Sequence, residues 1–273
     1  MGHQEDAIKL FLTEDINEAK ELVKKLNLYN VERQEKEKQI FNDALSKLEN
    51  ENIHEIKSIV LGEDGWHHGV IGIVASKLAE KFYKPTILIC FEGDVGKGSG
   101  RSIQGFDLHE ALVRTSDYLD KFGGHEMAIG LSLQKDALPK FKEEFNKIVS
   151  EEYVEDLIPV IKIDAQITKK DMNFNFMNEL QLLEPFGEKN KTPIFVYKNL
   201  KIDSIRSLSE GKHLKLLLRD ENFLINAIGF NLGELSEEYL IGDKIDVAGT
   251  LEINSYNGQE SIQINIKDIM KSI

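Results

Sequence analysis

The hydrophobic periodicity of this chain changes once, near Val154, and that change constrains the fold more than any single motif does. Ahead of it, short apolar runs alternate with segments whose apolar residues recur at helical spacing. The runs are Ile56 to Leu61, Thr86 to Phe91 and a strand over Ala128 to Leu133. Between and after them come helices over about Val70 to Phe82 and Asp107 to Leu119, and a closing helix with Leu138, Phe141, Phe145 and Ile148 on one face. Asp107-Leu-His-Glu110 has the spacing of a capping box, which fixes one helix start. Such alternation is the pattern of an α/β domain. Behind Val154, period-2 alternation takes over in Ile161/Ile163/Ala165/Ile167, Leu214/Leu216/Leu218, Ile245/Val247/Gly249/Leu251/Ile253 and Ile262/Ile264/Ile266. Asn257-Gly258 is a hairpin signal, Asp220-Glu221-Asn222 breaks another strand pair, and one helical insertion spans Lys170 to Leu183. Half-buried strands in that number predict a small closed β-barrel.

At 273 residues with 41% hydrophobic content the chain can fill two cores. At the amino end, Thr13 followed by Glu14 and Asp15 reads as a helix start, with Leu22 and Leu26 on its apolar face. The charged stretch Val31 to Asn50 then places Ile40, Ala44 and Leu48 four residues apart, the stripe of a long helix that bridges domains. The expected organisation is α+β and multidomain: linker helices over 1–52, an α/β domain over 53–153 and a barrel over 154–273. No apolar stretch approaches the roughly 20 residues that cross a bilayer, and no signal peptide is visible, so the expectation is a cytoplasmic protein without a membrane partner. Cys90, the only cysteine, lies in an apolar run and reads as a small buried hydrophobe. A net charge of −13 argues against a uniformly basic surface, although a local groove can still hold a nucleic-acid strand.

Three clusters could carry chemistry. Gly96-Lys-Gly-Ser-Gly-Arg-Ser102, expected in a loop, has the glycines to admit an anion and offers Lys97, Ser99, Arg101 and Ser102 as donors to phosphate oxygens; a plain glycine-rich turn is the alternative. It is not a Walker loop, because no Ser or Thr follows its lysine. Gly123-Gly124-His125 allows close backbone approach and adds an imidazole, or is simply a tight turn. In Gly65-Trp66-His67-His68-Gly69 the adjacent histidines favour a structural or ligand-contacting role for His67 over metal binding, and no metal site is expected in this chain.

Taken in order, the segments Gly65 to Leu78, Gly96 to Ser102 with Gly105 to His109, and Phe122 to Ala128 closely resemble the DHHA1 domain of RecJ exonucleases. The resemblance continues through Leu183 to Gly187, Pro193 to Phe195 and Gly211 to Lys215, and so covers essentially the whole chain. His68 stands where many relatives have proline and Lys189 where glycine is frequent, departures that bear on loop geometry only. Among small closed barrels, several strands of this length with few helices favour the oligonucleotide-binding (OB) fold, and the resemblance extends into that barrel. The resemblance implies that a preceding DHH domain, absent from this sequence, holds two Mn2+ or Mg2+ ions that activate water. This chain would then bind no cofactor and catalyse nothing alone, while helping a 5′-to-3′ single-stranded-DNA exonuclease of repair and recombination.

By the same resemblance Ser99, Arg101 and Ser102 hold the 5′ phosphate or terminal nucleotides, Gly123, Gly124 and His125 face the substrate phosphates, and Trp66 and His67 line or support the cleft. Lys212, His213, Lys215, Arg219 and Tyr256 are the barrel's candidates for guiding the strand. Implied partners are single-stranded DNA, the DHH domain and single-strand-binding protein. The alternatives are a DHH-DHHA1 phosphoesterase of small nucleotides or nano-RNA, and a module that docks a repair protein.

Overall fold

The computed structural model describes residues 4–49, 51, 53, 55–152, 159–256 and 258–272. The chain divides into two compact units, Met1–Pro159 and Val160–Ile273. The boundaries expected at 52 and at 153/154 fall on residues 52 and 153–158, outside the described residues.

In the first unit α1 (Gln4–Leu12) is followed by α2 (Ile16–Glu49), a single 34-residue helix where two separate segments were expected. No Gly or Pro interrupts residues 16–49, so the polar stretch in their middle exposes the helix without ending it. Asp15, not Thr13, caps α2: the Asn17 N–H donates to its Oδ1 at 2.8 Å and the Ala19 N–H to its carbonyl at 2.9 Å. Ile40, Ala44 and Leu48 pack with α3 (His68–Phe82) through Val70, Val74 and Leu78. Each buried Ile, Leu or Val among them contributes about 1.5–3 kcal/mol. Lys77 of α3 pairs across the seam with Glu37, which Arg33 also engages one turn away on α2, and Lys47 ties α2 to Glu63 of the neighbouring strand. Burial would raise the Glu37 carboxyl, but the hydrogen bonds from Lys77 and Arg33 outweigh it and hold the group below its ordinary range.

Five strands form one sheet in the order β1 (Ile59–Asp64), β2 (Thr86–Glu92), β3 (Val95–Arg101), β5 (Ala128–Gln134), β4 (Lys121–His125). β1 and β2 run parallel, joined through α3, and the other pairs are antiparallel. Alternate residues of β2 serve two cores. Leu88 and Cys90 face α2 and α3, whereas Ile87, Ile89 and Phe91 face α4 (Leu108–Arg114) and α5 (Leu138–Glu152). Burial pushes the Cys90 thiol up, in keeping with an inert core residue.

Both glycine clusters expected in loops are strands: Gly96 to Arg101 lies in β3 and Gly123 to His125 in β4. The helix expected over Asp107 to Leu119 ends at Arg114, where the Thr115 N–H bonds to the Leu112 carbonyl and a 3-10 turn over Ser116–Tyr118 follows. Its start is as expected, with the Glu110 N–H donating to Asp107 Oδ1 at 3.0 Å.

The second unit is a barrel of β7 (Phe195–Leu208), β8 (His213–Asp220), β9 (Phe223–Gly229), β10 (Lys244–Tyr256) and β11 (Gln259–Lys271), preceded by β6 (Ala165–Ile167) and α6 (Phe174–Gln181). Hydrogen bonding runs β7-β8-β9-β11-β10 and returns from β10 to β7, which closes the barrel. β9 and β11 are parallel, and β6 joins β7 in parallel as an outer strand. Leu200, Leu214, Leu216, Leu218 and Ile245 fill the interior and are fully buried. The helix expected over Lys170 to Leu183 is shorter, starting at Phe174 behind an Asn173 cap, and the strand expected from Ile161 is confined to Ala165–Ile167. The β10–β11 hairpin forms with Tyr256 opposite Gln259. Its Asn257 lies outside the described residues, and Gly258 takes φ 76°, which a two-residue hairpin turn asks for.

Candidate functional site

β3 owes its chemistry to alternation. Gly96, Gly98 and Gly100 face the α4/α5 core, where neighbouring side chains cover the strand so closely that a side chain has no room. A Cβ at Gly98 would stand 2.7 Å from Leu131 Cδ1 and 3.1 Å from Ile89 Cγ1, and one at Gly100 2.6 Å from Ile129 Cδ1. Lys97, Ser99 and Arg101 therefore project together from the opposite face. The glycines admit the core to the strand, rather than an anion.

Antiparallel register carries that face across the sheet. Arg101 lies opposite Ala128, which lies opposite His125; Ser99 lies opposite Gly130, which lies opposite Gly123. Residues directly opposite share a face, so these form two rows, with about 9–10 Å between the outer Cα atoms of each. A third row, Lys97, Ser132 and Lys121, adds a second lysine that no sequence motif singled out. Ala128, Gly130 and Gly123 make a floor of small residues, and His125, Gly123 and Gly130 are exposed. α3 walls the other side: a Cβ at Gly72 would stand 3.0 Å from Ser99 Oγ and 3.1 Å from Arg101 Nη2. Arg101 Nη1 donates to Ser99 Oγ at 3.1 Å and to the Gly100 carbonyl at 2.7 Å, which holds the guanidinium along the strand. Lys97 is 3.7 Å from Glu92, too far for a tight pair.

His125 Nδ1 accepts the Met127 N–H at 3.3 Å, so the neutral ring carries its proton on Nε2 and can donate it outward. Gly124 takes φ 140° and a Cβ there would collide with the Ala128 carbonyl, so the hairpin requires glycine. Ser102 does not face the open floor. It is buried, its Oγ donating to the Phe106 carbonyl at 2.7 Å and its N–H to the Met127 carbonyl at 2.9 Å, and it holds the turn that starts α4.

His67 caps α3, its Nδ1 accepting the Gly69 N–H at 3.0 Å, at a helix end whose dipole favours anions. Desolvation, with the charges of Lys36 and His68, holds its imidazole below the ordinary value, which favours the neutral capping form. Trp66 is core, not surface: its ring packs among α2 and α3 residues and its Nε1 donates to Asp43 Oδ2 at 2.7 Å. Among the described residues no group of three or more His, Cys, Asp or Glu side chains is placed to hold a metal ion.

On the barrel, Lys215 projects outward between Arg206 of β7 and Ile228 of β9, and the next row is Ser204, Leu217, Asn226, Gln263 and Glu252. Arg206 was missed because β7 has no clean alternation; its exposure beside Lys215 is visible only in the register. Arg219 is engaged by Asp203, with Nε donating at 2.7 Å, and the hydrogen bond raises the guanidinium and lowers the carboxyl. His213 Nδ1 accepts the Asn231 N–H at 3.0 Å and its ring meets Phe230 edge-on at 5.3 Å. Lys212 is exposed beside it, and the Tyr256 side chain lies outside the described residues.

Residues 55–151 match the DHHA1 domain and residues 163–268 match the RecJ OB domain. Fold and sequence thus define an α+β chain that carries a DHHA1 domain followed by an OB barrel. Single-stranded-DNA-specific exonuclease RecJ of Bacillus subtilis is 35% identical over 266 residues, 96% of this chain, and that of Thermus thermophilus 32% identical over 278 residues, 99% of this chain. The crystal structure of Thermus thermophilus RecJ with Mg2+ superposes on 100% of this chain and 41% of its own with a TM-score of 0.82 at 30% identity, and the same protein has been solved with Mn2+. The chain is a RecJ-type chain. It spans 34% and 38% of the length of the two curated relatives. Among the described residues no helix is long and apolar enough to cross a membrane.

Proposed function

We propose that this chain is the strand-holding part of a RecJ-like exonuclease that degrades single-stranded DNA from a 5′ end in the cytoplasm. The observation that carries the reading is the pair of rows Arg101–Ala128–His125 and Ser99–Gly130–Gly123, which gather cationic and hydroxyl groups over a floor of small residues. Ser99 and Arg101 hold the terminal phosphate, Gly123 and Gly124 let the backbone of the strand approach β4, and His125 donates from Nε2 to a phosphate oxygen. Lys97 adds positive charge at the rim, His67 sets the start of α3, and Trp66 and Ser102 support the site from within. On the barrel Lys215, with Lys212 and His213, tracks the upstream strand, and Arg219 is held back by Asp203. In this reading hydrolysis belongs to a DHH domain, without which the chain would not cleave; the RecJ structures solved with Mg2+ and with Mn2+ support divalent-metal use by the complete enzyme. The three-part organisation of linker helices, DHHA1 domain and barrel follows from the same reading.

The test is fluorescence anisotropy of the 273-residue chain with 15-nucleotide single strands bearing 5′-phosphate or 5′-hydroxyl ends, and with a duplex, across a salt series. Tighter binding of the phosphorylated single strand, weakening steeply with salt, is the expected result. Equal binding of both ends, or a preference for duplex, would overturn the reading.

A further inference from the structure

β10 outruns one of its two neighbours. Between Lys244 and Gly249 it pairs with β7, which begins at Phe195 opposite Gly249, and Pro193 just ahead has no N–H with which to extend the ladder. From Thr250 to Ser255 the strand is paired with β11 alone, so among the described residues the backbone groups on its other side meet no backbone partner. That open edge runs for about 20 Å at roughly 3.4 Å per residue. Exposed edges are commonly blunted by lysine or proline, and Thr250-Leu-Glu-Ile-Asn-Ser255 has neither.

A pocket of about 450 Å3 lies against the same edge, within the barrel unit. Met177 and Leu180 of α6, with Phe186 and Phe195, give it apolar walls, and Leu251 and Ile253 of the open edge complete them. Its rim is braced from within. Gly187 and Asn190 exchange backbone hydrogen bonds at 2.8 and 3.2 Å, and Asn190 Nδ2 donates to the Leu183 and Pro185 carbonyls at 2.8 and 3.1 Å. Leu182 and Leu183, between the lining residues Gln181 and Glu184, are exposed, so apolar surface continues outside the mouth. The charged residues of the lining are both acidic, Glu184 and Glu252. Asn265 Nδ2 donates to Glu252 Oε2 at 3.2 Å and holds that carboxylate on the outer face of the hairpin.

We propose that the open edge of β10 and this pocket dock an extended, basic and apolar segment of a partner protein, which adds a strand to the barrel unit. Backbone hydrogen bonds supply the pairing, and the period of two sorts the side chains. Residues on the Leu251 and Ile253 face enter the pocket, and lysine or arginine on the opposite face meets Glu252, with Glu184 adding to the attraction. The carboxylates disfavour the other occupants. A nucleic-acid strand or an acidic peptide would bring like charge against them, and a second copy of this chain would gather both carboxylates of each edge in one interface. Docking here leaves Lys215 on β8 uncovered and does not depend on the function proposed above.

The experiment titrates labelled peptides of about eight residues, long enough to span the edge and alternating lysine with valine or leucine, with the full 273-residue chain. The controls are the same peptides with glutamate for lysine, and copies N-methylated at alternate amides in either register. The unmethylated basic peptides are expected to bind at least about tenfold more tightly than the glutamate peptides and the copies methylated in the pairing register, and to slow amide hydrogen exchange over Thr250 to Ser255. Gln181→Phe, which puts a ring into the pocket from an exposed position at the end of α6, is expected to remove most of that affinity. Glu184→Lys is expected to weaken the discrimination against glutamate, with circular dichroism showing that both variants are folded. If methylation in neither register weakens binding, the net charge of −13 alone attracts the peptides and the inference is overturned. Unchanged exchange over Thr250 to Ser255, a Gln181→Phe protein that binds as the parent does, or displacement of the peptide by a single-stranded 15-mer overturns it equally.

Discussion

If the glycines of β3 exist to admit the core, adding one methyl at Gly98 should destabilise the first unit, and adding one at Gly130 should not. The two residues lie on neighbouring strands of one sheet, yet a Cβ at Gly98 would stand 2.7 Å from Leu131 Cδ1 and 2.9 Å from Leu131 Cγ, while the nearest atom to one at Gly130 is the Gly98 carbonyl oxygen at 3.9 Å. Leu131 and Ile89 are buried at 6% and 0% exposure, so neither side chain can swing away without moving the α4/α5 core. Overpacking of this kind costs about 1–3 kcal/mol, against a gain of roughly 0.4–1 kcal/mol from stiffening the unfolded chain. The net expectation is a loss of about 1–2 kcal/mol for Gly98→Ala and no loss or a slight gain for Gly130→Ala. Urea unfolding followed by tryptophan fluorescence is the assay, because Trp66 is the only tryptophan and sits in the first unit's core. A Gly98→Ala protein as stable as the parent, or a Gly130→Ala protein that loses as much, would refute the packing argument and restore the glycines to a ligand-binding role.

Other outcomes follow from the same geometry. Asp43→Ala should cost about 1 kcal/mol by leaving the Trp66 indole N–H without its acceptor, and Trp66→Phe in that background should add less than it does alone; additive losses would mean the bond contributes nothing. His67 titrates below the ordinary histidine value in the folded chain, so the unfolded chain binds the extra proton first: the stability its neutral form contributes is complete above about pH 6.5 and falls as the pH drops from there towards the lowered folded value. His67→Asn, which keeps an acceptor for the cap, should flatten that part of the stability profile, and parallel profiles would contradict the assignment. Lys215→Ala should weaken single-strand binding and lower the salt slope by about 1, whereas Arg219→Ala, already paired with Asp203, should change it less; equal slopes would remove Lys215 from the strand path.

The fold was legible wherever burial imposes a period. The alternation in Leu214/Leu216/Leu218 and the helical stripe of Phe141, Phe145 and Ile148 both mark core faces, and the structure buries all six residues. The glycine clusters were misread as loops because glycine is a poor strand former, and only the side chains of Ile89, Leu131 and Ile129 packed over β3 explain why it is tolerated there. The candidate site was half legible. Ser99 and Arg101 share a face by simple alternation, but their alignment with Gly123 and His125, and the addition of Lys121 and Ser132, depend on strand register between segments far apart in sequence. Ser102 sits one residue beyond the alternating run, and its hydroxyl is spent on a turn that composition does not reveal. A net charge of −13 says nothing about those rows, because it sums over a surface on which the cations are concentrated locally.

The most direct test of the central claim is a thermodynamic cycle between Arg101 and the strand's 5′ phosphate: affinities of the parent chain and Arg101→Ala for the same 15-mer with and without that phosphate. A charge-assisted contact of about 1.5–3 kcal/mol predicts that the parent prefers the phosphorylated end by at least about tenfold. Arg101→Ala should bind both ends alike, with Arg101→Lys between the two because a lysine cannot make the forked contact. An Arg101→Ala protein that keeps the parent's full preference would contradict the account, since the phosphate would then be held somewhere other than the face built by β3, β5 and β4.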